Sequence, residues 1–294
     1  MATTSGQANI RGIDIDKLAK GFADEEMILK RFVTNTTTSA REIRWYQRTA
    51  GVLDSTDTTG ITASQIANVA YGARPVVVEQ SWTRNTSYIR KYFVESPMLT
   101  EEDIRDSDID ILATNIRDLV RAVENQIDKR IYDVLTESNG TVPAPSNINS
   151  TTGTHWLSGS PILDIMTAKQ LIRSDGYNPE GAILYINPIE HKNILTYLIQ
   201  TKGSSIPSFA SQKIETGVVM ELLGCRVVVS ENATTNYALM FVANRAATWK
   251  SFAPITSRTI EEVGIGTKIR VWEEGEAILT DPSAVCLISG SATG

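Results

Sequence analysis

Few residues in this chain are of types that do chemistry. Histidine occurs twice, at His155 and His191, and cysteine twice, at Cys225 and Cys286. A cysteine beside a histidine could act as nucleophile and base, and a cluster of such residues could hold a metal, but no Cys/His group here has ligand spacing. His155 lies in a loop rich in Asn and Thr and His191 in the first turn of a capped helix, so both read as structural or solvated. Cys225 (GCRVVVS) and Cys286 (AVCLIS) sit in apolar runs, as buried free thiols of a reducing compartment do. Gly264-Ile265-Gly266-Thr267-Lys268 is superficially a phosphate loop. It lacks the first glycine of GxxxxGK(S/T) and opens no helix, so it reads as a hairpin turn. Glu273, Glu274 and Glu276 crowd together near a strand end, the usual setting of a solvated edge. Trp82, Tyr88, Tyr92 and Phe93, mixed with Arg84, Arg90 and Lys91, could stack on nucleic acid. At strand spacing they make better interface anchors. No active site, metal site or cofactor site emerges.

Bulk composition narrows the function further. A formal charge of −6 argues against a dedicated nucleic-acid binder, which carries a basic stripe, though not against a wall that encloses nucleic acid. The 294 residues suggest about two domains, and 41% hydrophobic with 21% charged residues is ordinary for a globular protein. No apolar run reaches the roughly 18 residues of a membrane span. The start, MATTSGQANI, has neither a basic cluster nor an apolar signal core, so synthesis in a cytoplasm is expected.

The elements that would position such side chains are dominated by one amphipathic stretch, residues 107–139. Ile109, Leu112, Ile116, Leu119/Val120, Val123, Ile127, Ile131 and Val134/Leu135 recur at the three-four spacing of a single buried helical stripe. Ser107 with Asp110 signals the start and Asn139-Gly140 the stop; at 1.5 Å per residue the helix would be roughly 50 Å long. Such a helix is a spine. Before it, residues 1–40 read as an arm with a short helix around Asp24–Val33 and a Thr-rich stretch. Residues 41–92 read as a long extended loop in which Ile43 and Trp45 alternate with Arg44 and Tyr46. Neither segment has enough apolar content to form a core of its own, and a loop of this length finds its partners elsewhere. After the spine, Ser160-Pro161 and Asn187-Pro188 open two helices, 161–174 and 188–202, on either side of a strand at 181–187. Strands at 225–230 and 237–243 follow, an alternation typical of an α/β domain. Segments 255–262 and 267–273 form a hairpin, and 284–289 a returning strand.

This order of elements resembles the major capsid proteins of tailed bacteriophages, the Hong Kong 97-like fold, over nearly the whole chain. The stretches that carry it are SPMLTEEDIRDSDIDILATNI running into the spine, GAILYINPIEHKNILTYL, and ELLGCRVVVSENA before YALMFVAN. Met98, Leu99, Glu101, Glu102, Asp103 and Asp108-Ile109 stand where the family has an acidic stretch ahead of the spine. Leu223-Gly224-Cys225-Arg226-Val227-Val228 stands where it has a Gly-containing strand.

The resemblance implies an α+β shell subunit that is not an enzyme. It divides the chain into an N-terminal arm (1–40), an extended loop (41–92), a peripheral domain (93–139 and 246–280, with the spine at 107–139) and an axial domain (140–245 and 281–294). Copies would assemble as hexamers and pentamers of an icosahedral virion capsid in the host cytoplasm, enclosing double-stranded DNA without specific binding. Contacts between copies are expected at Trp45, Tyr46, Trp82, Tyr88, Ile206, Phe209, Glu261 and Arg270, the axial ones through the loop 203–216. A portal, a cement or decoration protein and a separate scaffold are the implied partners; no cofactor and no membrane is involved. Some members cross-link their shells through a loop Lys, a hairpin Asn and a catalytic Glu. Here Glu273 matches the Glu, Gly266 stands at the Asn position, and no Lys lies between Arg31 and Arg90, so that chemistry should be absent. The same fold serves encapsulin nanocompartments, the alternative reading; a soluble α/β enzyme is the third.

Overall fold

A computed structural model describes residues 28–50, 70–74, 81–106, 111–136, 149–201 and 221–291. A 3-10 turn, Leu29–Arg31, leads into strand β1, Thr34–Thr37. Strands β2 (Glu42–Ala50) and β3 (Ser81–Tyr88) pair antiparallel as a two-stranded ribbon. β4 (Arg90–Glu95) and β5 (Leu99–Thr100) follow, then helix α1 (Glu101–Asp106) and helix α2 (Ile111–Thr136). β6 (Asn149–Thr152), α3 (Pro161–Ser174), β7 (Ile183–Ile186), α4 (Pro188–Thr196), β8 (Glu221–Leu222), β9 (Cys225–Val229) and β10 (Tyr237–Phe241) come next. β11 (Ala247–Glu262) and β12 (Gly266–Leu279) form one long hairpin, and β13 (Val285–Ser289) closes the described chain.

Two mixed sheets organise these elements. The first, called peripheral after the domain the resemblance implies, has the order β1-β11-β12-β4, with β5 added at the far end of β12. The second, called axial on the same ground, has the order β6-β13-β10-β7-β9-β8. Helix α2 is the spine: its 26 residues give a length of about 39 Å. Leu112, Ile116, Val120, Val123, Ile127, Ile131, Val134 and Leu135 are all buried, which is the expected stripe. It packs on β12, β4 and β11 along one side, and its far end reaches the axial sheet, where Tyr132 and Tyr185 lie ring to ring at 5.6 Å.

The axial strands are buried on both faces, and their period-two alternation divides them between two cores. Ile183, Tyr185, Leu239, Phe241 and Val285 join the spine and the peripheral sheet in one cluster. Leu184, Ile186, Ala238, Met240, Cys286 and Ile288 face the other way, against Ile165 and Ile172 of α3 and Ile194 of α4. Continuous apolar runs such as ILYI and YALMF follow from this two-sided burial.

Several sequence expectations change in detail. The hairpin strands are 16 and 14 residues long, far beyond the segments 255–262 and 267–273. Pro254, which cannot donate to a ladder, is absorbed by two register shifts between Ser251 and Thr256. Asn187 caps α4 through the Ile189 N–H at 3.1 Å, but Ser160 does not cap α3, its hydroxyl lying instead 3.3 Å from that of Tyr197. After Thr196 the second axial helix continues as a π-turn, Tyr197–Thr201. Residues 28–37 of the expected arm pack on the chain's own spine and hairpin sheet: Leu29 and Val33 are buried in the spine core, and β1 runs parallel to β11 from Thr34↔Thr248 to Thr37↔Ser251.

Candidate functional site

The groups that could have done chemistry are dispersed. His155 accepts a hydrogen bond at Nδ1 from the Leu157 N–H at 3.3 Å, and burial pushes His191 below its ordinary value. Burial raises both thiols, Cys286 to about 12, so neither is a ready nucleophile. Among the described residues no group of His, Cys, Asp and Glu could hold a metal ion. Gly264 and Gly266 form the turn of the β11–β12 hairpin, with the Ile265 N–H on the Glu262 carbonyl at 3.0 Å. A side chain at Gly266 would meet the Leu99 carbonyl oxygen at 2.0 Å, so the glycine is what lets β5 dock there.

The carboxylates of the hairpin correct the sequence reading most. Glu273 and Glu276 are not a solvated edge; they are 1% and 0% exposed. Lys30 reaches both oxygens of Glu273, at 2.7 and 2.8 Å, and the Trp249 indole donates to the same carboxylate at 3.2 Å. Arg130 of the spine donates to Glu276 through Nε at 3.0 Å and through Nη2, while Arg90 approaches its other oxygen at 3.2 Å. Burial raises Glu276, opposed by Arg130 and Arg90. Asp128 accepts the backbone N–H groups of Ile28, Leu29 and Lys30 at 3.0, 3.1 and 3.3 Å, capping the 3-10 turn from a different helix. Glu124, 1% exposed, lies 3.6 Å from Lys30. Burial foremost, then Glu273 and Asp128, push it up to about 8 against the pull of Lys30. This ionic core joins the N-terminal segment, the foot of the ribbon, the spine and the hairpin. It is built to hold segments together and contains no reactive group open to a substrate.

The surface carries the remaining candidates. In the ribbon, register pairs Glu42 with Tyr88, Arg44 with Thr86 and Tyr46 with Arg84, so these side chains share one face. That face is open to solvent: Tyr46, Trp82 and Tyr88 are 63%, 56% and 65% exposed. The opposite face turns inward, with Ile43 and Ser87 buried and the Trp45 indole donating to the Leu279 carbonyl at 2.9 Å. Trp45 is thus held by its own subunit, unlike its three aromatic neighbours. Arg270 pairs with Glu95 and lies 6.0 Å over the Phe93 ring, within a cation–aromatic layer on the outer face of the peripheral sheet that includes Lys91 and Trp272. Glu261 sits near the end of the hairpin beside Val263 and Ile265, both exposed. Ile206 and Phe209, with the loop 203–216, lie outside the described residues, as does the tip of the extended loop. No helix of the described chain is long and apolar enough to cross a membrane.

Comparison with known proteins gives these surfaces a context. A family model described as phage capsid protein matches residues 98–288. No curated protein matches the chain. Among solved structures, the capsid of the cyanophage P-SCSP1u is similar at a TM-score of 0.65 and 11% identity, covering 100% of this chain and 93% of that one. Mycobacterium phage Ogopogo gives 0.63 and 17%, over 90% and 92%. A virus-like particle from Pyrococcus furiosus gives 0.61 and 11%, over 94% and 98%.

Proposed function

The chain belongs to the phage capsid protein family, and on that premise we propose that it is the shell subunit that tiles into hexamers and pentamers around packaged double-stranded DNA. The observation that carries this reading is the ribbon. A two-stranded β-element is at best marginal alone, and here it holds its inner face on its own subunit while offering three aromatics and two arginines outward. Exposed aromatic and arginine side chains in one row are the composition of an interface core. We place the outward face, with Tyr46, Trp82 and Tyr88, on an adjacent copy, and Glu261 and Arg270 of the hairpin at a contact where peripheral domains meet. Ile206 and Phe209 are assigned by the same reading to axial contacts. Head-to-tail contacts of this kind close rings, and rings close a shell.

Purified protein viewed in negative stain should show closed shells, or capsomers where a portal or scaffold is needed. Discrete small oligomers under every condition would overturn the reading. The wall would enclose DNA without gripping it, since a net charge of −6 supplies few counterion-releasing contacts. A mobility-shift titration at physiological salt should show no specific complex below about micromolar protein. The match to the Pyrococcus furiosus particle favours a second reading, an encapsulin-type nanocompartment. Nucleic acid inside recovered shells supports the capsid; a packed enzyme supports the compartment.

A further inference from the structure

Residues 28–37 contribute four apolar side chains to the attachment: Leu29 and Val33 are buried in the core, and Ile28 and Phe32 pack against it partly buried. The rest of the attachment is polar, made of the β1–β11 pairing, the Asp128 cap and the Lys30 ion pairs. The charges around Lys30 do not balance. Asp128 is answered by three backbone N–H groups, and Glu273 by Lys30 and Trp249. Glu124 is fully enclosed, and neither of its oxygens accepts a hydrogen bond; when protonated it can donate to the Glu273 carboxylate. It faces Lys30 on the N-terminal segment, Glu273 on β12 and Asp128 one turn along its own helix. Ionised, it would place a further negative charge against one ammonium that already serves Glu273.

We infer that Lys30, Glu124 and Glu273 form a proton-operated latch, which holds residues 28–37 to the spine while Glu124 is neutral and releases them as it ionises. The sign follows from the burial. In the docked state Glu124 keeps its proton up to about pH 8; once the segment lifts and water enters, it returns to the ordinary carboxylate range near 4.3. Docking is therefore strongest below that ordinary value. It weakens by about tenfold per pH unit above it and levels off above about pH 8. This device goes beyond the shell reading and concerns a single subunit.

The test is hydrogen exchange on the full-length protein between pH 5.5 and 8.5, with rates corrected for intrinsic chemistry. Protection of the 28–37 amides should fall by about tenfold per pH unit and then level, while that of Ile183–Ile186 in the axial sheet stays flat. Glu124→Gln, which keeps a neutral side chain of the same shape, should give high protection without the slope. Protection independent of pH in the wild type overturns the latch, as does a wild-type slope retained in Glu124→Gln. Particles counted by microscopy at each pH report separately on the shell; their absence would weigh on the proposed function and leave the exchange profile of the free subunit readable.

Discussion

The two cores of this molecule bury carboxylates in different ways. In the axial core, Asp164 accepts from the Trp156 indole and the Thr154 N–H, both at 2.9 Å, and Glu190 accepts from the Asn236 N–H at 2.6 Å. These are neutral donors that tie loops onto a sheet already buried on both faces. In the peripheral core, Glu273 and Glu276 are met by Lys30, Arg130 and Arg90, and the joined segments are far apart in sequence. Apolar layers define the axial core, whereas the peripheral core adds charge pairs to the apolar contacts of the segments it joins. A buried ion pair adds little net stability over a well-packed apolar pair, but breaking one is costly. The peripheral core is therefore the one whose integrity depends on pairing.

The comparison can be broken at the level the two cores share. Ile116→Asp in the spine and Leu184→Asp in the axial sheet each put a charge into a dry, fully enclosed site. Both should cost more than about 4 kcal/mol and abolish soluble protein. Soluble, assembling Ile116→Asp would mean that the spine stripe does not carry the peripheral core. The ionic half is probed by Arg130→Met, which leaves Glu276 with Arg90 as its cation and should cost about 3–5 kcal/mol in urea denaturation. Adding Glu276→Leu should recover most of that loss, and a double variant as unstable as the single would remove charge pairing as the cause. In the axial core Asp164→Ala strands three neutral donors, the Trp156 indole and the N–H and hydroxyl of Thr154, and should cost only about 1–3 kcal/mol. A loss equal to that of Arg130→Met would erase the distinction between the cores. Smallest in stability is Trp82→Ala on the ribbon: the melting curve should move by no more than about 0.5 kcal/mol, while closed shells disappear from micrographs. Unaltered shells would take the outward face out of the interface.

Apolar periodicity carried most of the fold in the sequence. The spine stripe from Leu112 to Leu135 and helix Pro161–Ser174 were legible because each repeats one spacing over several turns. The ionic core was not. Lys30 and Glu273 are 243 residues apart, and Arg130 and Glu276 146, so no window along the chain contains both partners. Glu124 and Asp128 lie along the stripe but, being charged, carry no apolar signal that would mark them as buried. The extent of the hairpin was hidden by Pro254, an ordinary strand terminator that two bulges accommodate. Of the residues expected at contacts, Tyr46, Trp82 and Tyr88 lie on one open face, where strand alternation placed them. Trp45, by the same alternation, belongs to the inner one.

The pairing of β1 with β11 has a consequence for the order in which the chain is made. Lys30 leaves the ribosome 243 residues before Glu273. At about 5–20 residues per second, the N-terminal segment waits roughly 12–50 s for the strand and the carboxylates that will hold it. Its polar sequence, TNTT, keeps it soluble through that interval, when an apolar edge would invite aggregation. Helix, sheet and hairpin thus close around the ionic core only after the hairpin itself has been translated. A nascent chain that stalls before the hairpin cannot complete this half of the molecule.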